Sequence, residues 1–349
     1  MQRNIICTLL CLLSFYTQSI GQDNAPTSKD SISTFFNTIL DALEEQYVDR
    51  ETTDWPHIRA LALDSAFKAS TFEGSLDAAS LVFDSLACNH CILFAEEAMY
   101  GSSLNQPLGQ EDFSRPFLLE YEKKPAFSVK VIDDNIGYIL IPGMLLIDLP
   151  QEELDQKTQE MYDQVVAVAK QQEMRGWIID LRFNIGGNVY PMLASLHYLL
   201  GDNLMYNAMD ANGKVGNPHT LKDGGFYSGD RLETKAEVSM KPNTKVPVSL
   251  LIGKMTGSAG EDIAIAFKIR GNSTFIGEES YGFLTLNDLV ELPYGIKVAL
   301  TTSYTVDEKG VYRKTIQPDR IVQKKDNFED QMKDGNIIEA IRFIDNQKK

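Results

Sequence analysis

Val246-Pro-Val-Ser-Leu-Leu-Ile-Gly-Lys-Met-Thr-Gly-Ser-Ala-Gly-Glu-Asp-Ile-Ala-Ile-Ala-Phe267 is the stretch whose reading decides the fold. It opens as a short apolar run typical of a buried strand, with Pro247 near the start, where a missing donor is tolerated. Small residues follow, and then the apolar helix Ile263–Phe267. Strand, small-residue turn and helix together put Ser258 at or near a helix N-terminus, where free N–H groups and the positive end of the dipole favour an oxyanion. Gly257, Ala259 and Gly260 leave room for a substrate backbone. Two readings of Ser258 stand at this point. It is a nucleophile, or it is the serine of the capping box Ser258-x-x-Glu261.

The surrounding chain repeats the alternation. Residues 127–132 and 136–141 read as strands around the turn Asp133-Asp134-Asn135, and 151–174 as an amphipathic helix. Residues 177–181 read as a strand that stops at Asn184-Ile-Gly-Gly187, where bare amides could hold a developing oxyanion; the alternative is a plain tight turn. A helix at 188–200, a strand at 246–252, a helix at 258–270 and strands near 273–277, 288–292 and 296–304 complete a layered α/β core. The polar, Gly-rich stretch 211–245 reads as a long loop, and 328–345 as the last helix. Upstream, 31–48 carries one apolar stripe, Asp54 caps a helix with Pro56 in its first turn, and Ser75 caps a third. These helices make a small amino-terminal domain. The division expected is 1–21 signal peptide, 22–124 helical domain and linker, and 125–349 core with a C-terminal helix.

The ordered motifs resemble a family. Asp180-Leu-Arg-Phe-Asn-Ile-Gly-Gly187 resembles the "D-L-R-x-N-x-G-G" segment of the C-terminal-processing and tricorn-like serine peptidases. Thr256-Gly-Ser-Ala-Gly-Glu261 resembles their nucleophile turn, Gly277-Glu-Glu-Ser-Tyr-Gly282 their "G-E-x-x-x-G" turn, and Pro318-Asp319 their near-terminal "P-D". The resemblance covers roughly residues 31–325 and implies a crotonase- and ClpP-like core, a Ser258 nucleophile, and an oxyanion hole from the amides of Gly186 or Gly187 and Ala259. It implies neither a metal nor an organic cofactor. About thirty residues separate the helices from the first core strand, fewer than a complete PDZ domain of the kind many members carry would need.

The general base is where the chain departs from the best-known members. Their lysine position is Phe283 here. The tricorn-like branch instead uses a histidine just after the amino-terminal helices, and Leu86-Ala-Cys-Asn-His-Cys-Ile-Leu93 fits that frame with His90 on the histidine and Cys88 and Cys91 flanking it. An imidazole near its ordinary pKa of about 6.5 can take the serine proton at neutral pH, which sets an expected acid limb at about 6–7. Lys254 and Lys268 are the alternative bases. The tricorn-like glutamate would fall near Tyr312, so Glu278, Asn287 and Glu261 are the fallback orienting residues. His57 reads as a first-turn residue, His197 as part of an apolar helix, and His219 as a loop residue.

Composition narrows the partners. The 349 residues are 43% hydrophobic and carry 49 acidic against 33 basic side chains, a formal charge of −16. That charge repels phosphate backbones and anionic membrane surfaces, so nucleic acid is excluded as a partner class. Arg3, the apolar run Ile5–Tyr16 and Ser19-Ile-Gly21 have the anatomy of a cleaved secretory signal, too short to span a bilayer, which implies a secreted or periplasmic protein. Cys88 and Cys91 then remain in a compartment where a disulfide can form; the alternative is two small buried thiols. The expected partner is a peptide or protein substrate, and the oligomeric state is not readable. Two rivals stay open: an inactive binding protein for a peptide or apolar ligand, like the family's retinoid-carrying form, and a crotonase-like thioester enzyme.

Overall fold

The computed structural model describes residues 29–347 apart from Glu97, Gln106, Ile147 and Asp148. The expected signal peptide, 1–21, lies outside the described residues. Among those described, no helix is long and apolar enough to cross a membrane. The chain is mixed α/β with a helical amino-terminal region, and it falls into two units.

The first unit runs to Gln110 and also takes in Asp210–Lys214 and Thr285–Tyr304. Helices Lys29–Gln46 and Trp55–Ala66 form where the apolar periodicity places them. Asp54 caps the second, accepting from the His57 N–H at 3.2 Å with Pro56 in the first turn. Ser75 is not a cap. Thr71 caps the short helix Phe72–Ser75, the buried Ser75 hydroxyl donates back to Phe72 O at 2.6 Å, and the helix Asp77–Ser85 starts without a side-chain cap. Phe35, Phe36, Leu40, Leu43 and Phe83 share one core with Leu93, Val298 and Leu300. The last two sit on the strand Lys297–Val306, which pairs antiparallel with both Ile92–Ala95 and Thr285–Glu291. The helices therefore bury their stripe partly against strands more than two hundred residues away in sequence.

The second unit is built on a six-stranded sheet in the order Arg320–Ile321, Ser273–Gly277, Val248–Ile252, Gly176–Asp180, Ile136–Leu140, Ser128–Ile132. Its first five strands are parallel, and the last forms a hairpin through Asp133-Asp134-Asn135, all at positive φ. Both central strands, Gly176–Asp180 and Val248–Ile252, are buried throughout, as parallel strands covered on two faces must be. On one face Ile337, Ala340 and Ile344 pack over Ile178, Leu251 and Ile276. That last helix runs Gly335–Asn346, not from 328, because Asp334 caps it by accepting from Asn336 and Ile337 N–H groups. The helix expected at 151–174 stops at Ala169, and the one at 188–200 breaks at Leu196.

Residues 211–245 are not a single loop: strands run to Lys235, and 236–245 carry no regular element. Asn203–Met209, Val215–Lys222, Gly225–Ser228 and Arg231–Lys235 form an antiparallel meander. Asp223-Gly224 closes its tight hairpin with φ of 49° and 80°, the double positive-φ turn that Asp-Gly favours. His219 is accordingly a strand residue. It is 4% exposed and stacked on Tyr206 at 4.5 Å. His197 is likewise buried, with Nε2 2.7 Å from Asp202 Oδ1.

A buried ionic knot ties this unit together. Arg182 reaches Asp180 at 2.6 Å, Asp326 at 2.7 Å and Asp334 at 2.9 Å. Tyr138 donates to Asp180 at 2.8 Å, and Phe328 lies 4.7 Å from the guanidinium. Arg182→Met keeps most of the stem but strands three carboxylates, so urea unfolding should show a loss of about 3–5 kcal/mol with an unchanged m-value. Burial pushes His219 down to about 4. As the pH falls from about 6.5 toward 4, the unfolded chain takes up a proton that folded His219 refuses, and stability is lost across that window. At about 1.4 kcal/mol per unit the loss approaches about 3 kcal/mol, and His219→Phe should remove that share of the pH dependence in denaturant titrations.

Candidate active site

Three turns leave the carboxyl ends of neighbouring parallel strands, the edge of an open α/β sheet where ligand sites form. One follows Asp180, one follows Ile252 and one follows Gly277. Hydrogen bonds join them. Thr256 Oγ1 accepts from Gly253 N–H and donates to Leu181 O, both at 2.9 Å. Gly257 N–H donates to Asn184 O at 2.9 Å, and Tyr281 N–H to Thr256 O at 2.7 Å.

Ser258 ends the second turn and precedes the helix Ala259–Arg270 with φ 51° and ψ −117°. A residue with a Cβ rarely adopts that backbone, and such strain concentrates at functional turns. Ser258 and Glu261 occupy the two positions of a capping box, and Ser258 N–H donates to Glu261 Oε2 at 2.9 Å. Glu261 is fully buried. It also accepts from the Ser280 hydroxyl, from Gly282 N–H at 2.9 Å and from Phe283 N–H at 2.7 Å. Burial pushes its carboxyl up to about 7 against the pull of these four donors.

The glycine turn stands beside Ser258. Gly186 has φ 131°, and a methyl group on it would lie 2.9 Å from Ser258 Cβ and 3.2 Å from Oγ. Gly187 has φ 117°, and a methyl there would strike Met144 O at 2.0 Å. Gly186 N–H is already engaged, donating to Asn184 Oδ1 at 3.0 Å. Among the described residues, the N–H groups of Gly187 and Ala259 donate to no protein acceptor. Glu278 is part-buried and makes no hydrogen bond to Ser258. Lys254 is ion-paired with Asp112 at 2.6 Å, and Lys268 is exposed.

His90 belongs to the first unit, as do Cys88, Cys91 and Asn287, whereas Ser258, Ala259, Glu261, Glu278 and both glycines belong to the second. Cys88 and Cys91 are disulfide-bonded and buried around it. The His90 ring is 7% exposed, and its Nδ1 lies 2.7 Å from Thr285 Oγ1. Asn287 Nδ2 donates to His90 O at 2.8 Å, and Asn287 Oδ1 accepts from Thr301 at 2.8 Å. Burial pulls the imidazole down to about 4. Thr285 and Ser280 escaped the sequence reading. A lone hydroxyl in a strand or a turn carries no local signal, although Ser280 does lie inside the "G-E-x-x-x-G" segment.

Among the described residues, no group of His, Cys, Asp and Glu side chains could hold a metal ion. The profile of Peptidase family S41 matches residues 135–322, more than half of the chain. A nisin-resistance protein of Lactococcus lactis subsp. lactis is 34% identical over 146 residues, 41% of this chain and 45% of that protein. The carboxy-terminal processing protease CtpB of Bacillus subtilis (strain 168) is 24% identical over 202 residues, 57% of this chain and 36% of it. The chain thus spans less than half the length of either relative. A lipoprotein from Streptococcus agalactiae shares the fold, with a TM-score of 0.66 at 19% identity over 94% of this chain and 99% of that one. The matched residues contain the Asp180–Gly187 turn, the Ser258 turn and the Gly277–Gly282 turn, and the chain belongs to peptidase family S41.

Proposed function

We propose that this family member is an active serine endopeptidase, exported through its amino-terminal signal, with Ser258 as nucleophile and His90 as general base. The observation that carries the reading is Ser258 itself, a non-glycine residue held at positive φ between a buried strand and a helix. Ser258 Oγ attacks the scissile carbonyl while His90 Nε2 takes its proton. The N–H groups of Gly187 and Ala259 receive the oxyanion; Gly186 is the poorer donor because Asn184 already holds its amide. Collapse of the tetrahedral intermediate returns the proton to the leaving amine, and water attacks the acyl-enzyme by the same route. Glu261 orients the turn rather than the base, because it holds the Ser258 amide.

A second reading has one observation in its favour. Phe283 stands where the better-known members carry their lysine, as it would in an inactive member that binds a peptide or an apolar ligand. A fluorophosphonate probe separates the two. Labelling of the mature protein that disappears in Ser258→Ala supports the peptidase, and the thermal midpoint should stay within a few degrees, since a lost serine cap costs at most about 2 kcal/mol. Absence of labelling in the wild type favours the carrier.

Burial corrects the expected pH profile. A histidine pulled down to about 4 stays neutral well below its ordinary range, so the acid limb of kcat/KM should sit near 4, not at 6–7. His90→Ala should abolish most activity. A wild-type rate in that variant, with Lys268→Ala or Lys254→Ala inactive, would replace the base.

The disulfide acts locally. Its loop is too short for its closure to remove much chain entropy, so its contribution lies in holding His90. Reduction, or the double change Cys88→Ala/Cys91→Ala, should lower kcat by about tenfold or more while moving the thermal midpoint only a few degrees. Equal losses of activity and stability would contradict that division.

A further inference from the structure

One strand grips His90 at two points. Thr285 meets the ring at Nδ1, and Asn287 holds the backbone carbonyl. Two residues apart on one strand, Thr285 and Asn287 share a face, and the pairing of Thr285–Glu291 with Lys297–Val306 slips between Leu286 and Asn287, with Thr302 the extra residue on the partner strand. Asn287 is itself anchored by the Thr301 hydroxyl on the partner strand. The carbonyl grip fixes where the ring starts, and the Thr285 contact fixes how it is turned. A neutral imidazole carries a single N–H, so a partner that accepts at Nδ1 decides which nitrogen keeps the lone pair.

We propose that Thr285 is the positioning residue for His90: its hydroxyl oxygen accepts the Nδ1 proton, locking the neutral ring as the Nδ1–H tautomer and leaving the Nε2 lone pair to act as base. The inference rests on His90 being that base. It assigns to an uncharged hydroxyl the orienting task for which the sequence alone offered Glu278, Asn287 and Glu261. Atoms balance simply: Nε2 gains the serine proton, Nδ1 keeps its own throughout, and Thr285 neither gains nor loses one.

The test uses the mature protein with 15N-labelled histidine, His90 being assigned by difference from His90→Gln. At pH 7 the inference requires an Nδ1–H, Nε2-unprotonated ring, in the wild type and in Ser258→Ala alike. Thr285→Val, which keeps the shape and loses the oxygen, should shift the ring toward the other tautomer and lower kcat by about 10- to 100-fold, with KM within about twofold. Thr285→Ser should restore both tautomer and rate. An Nε2–H ring in the wild type overturns the inference whatever the rate, and so does an unchanged tautomer in Thr285→Val. Should the ring be Nδ1–H and Thr285-dependent while His90→Ala retains full activity, Thr285's hold on the ring is supported and the base assignment is overturned.

Discussion

The Glu261 carboxylate is the constraint on which the Ser258 turn depends. An ionised carboxyl taken out of water is expensive unless its lone pairs are filled, and Glu261 fills them from four donors on two different turns. One donor is the amide of Ser258; the others are Ser280, Gly282 and Phe283. The strained backbone at Ser258 is thereby tied to the segment after Gly277 rather than left to the helix alone. The same burial that makes these bonds strong draws the carboxyl up to about 7. Protonation would remove acceptor capacity from the bonds that hold the turn, so the geometry at Ser258 is coupled to the ionisation of a fully buried side chain.

Much of the architecture was legible because the signals are local. The buried strand Val248–Ile252, the small-residue turn and the helix after it are contiguous, and so is Asp180–Gly187. The failures are instructive in the same terms. Residues 211–245 look polar because a meander with one solvated face needs only alternate apolar positions. The Asp223-Gly224 dipeptide was nevertheless a hairpin signal in plain view. Phe328 and Met332 continue the apolar spacing of the last helix, but Asp334 offers a cap that starts it later, and Phe328 covers the Arg182 guanidinium instead. No periodicity could show that Thr285–Tyr304 returns to pack with the amino-terminal helices, because that pairing is a long-range choice decided by which apolar faces meet.

The site divides along the same line. Ser258 and the glycines advertise themselves by neighbours in sequence, and the positive φ of both glycines explains why that residue type is needed there. The choice between Gly186 and Gly187 as donor was not readable, because it turns on the side-chain oxygen of Asn184. His90 was found through resemblance. Its environment was not: neither its burial nor Thr285, nearly two hundred residues along the chain, leaves a trace in the residues beside it.

If His90 is the base, as proposed, that environment sets its chemistry. A carboxylate orienting a histidine does two things, turning the ring and stabilising the imidazolium. A hydroxyl does only the first. Burial opposes the charged form, so the His90 imidazolium is disfavoured and the pKa falls. The ring is then ready as a base over a wide acid range, but proton transfer from serine is driven less strongly than by a more basic imidazole. Compensation has to come from the other side of the transition state. In that proposal, rigid amides at Gly187 and Ala259 stabilise the oxyanion without reorganising, and the disulfide and Asn287 remove the positional freedom a weakly driven transfer can least tolerate.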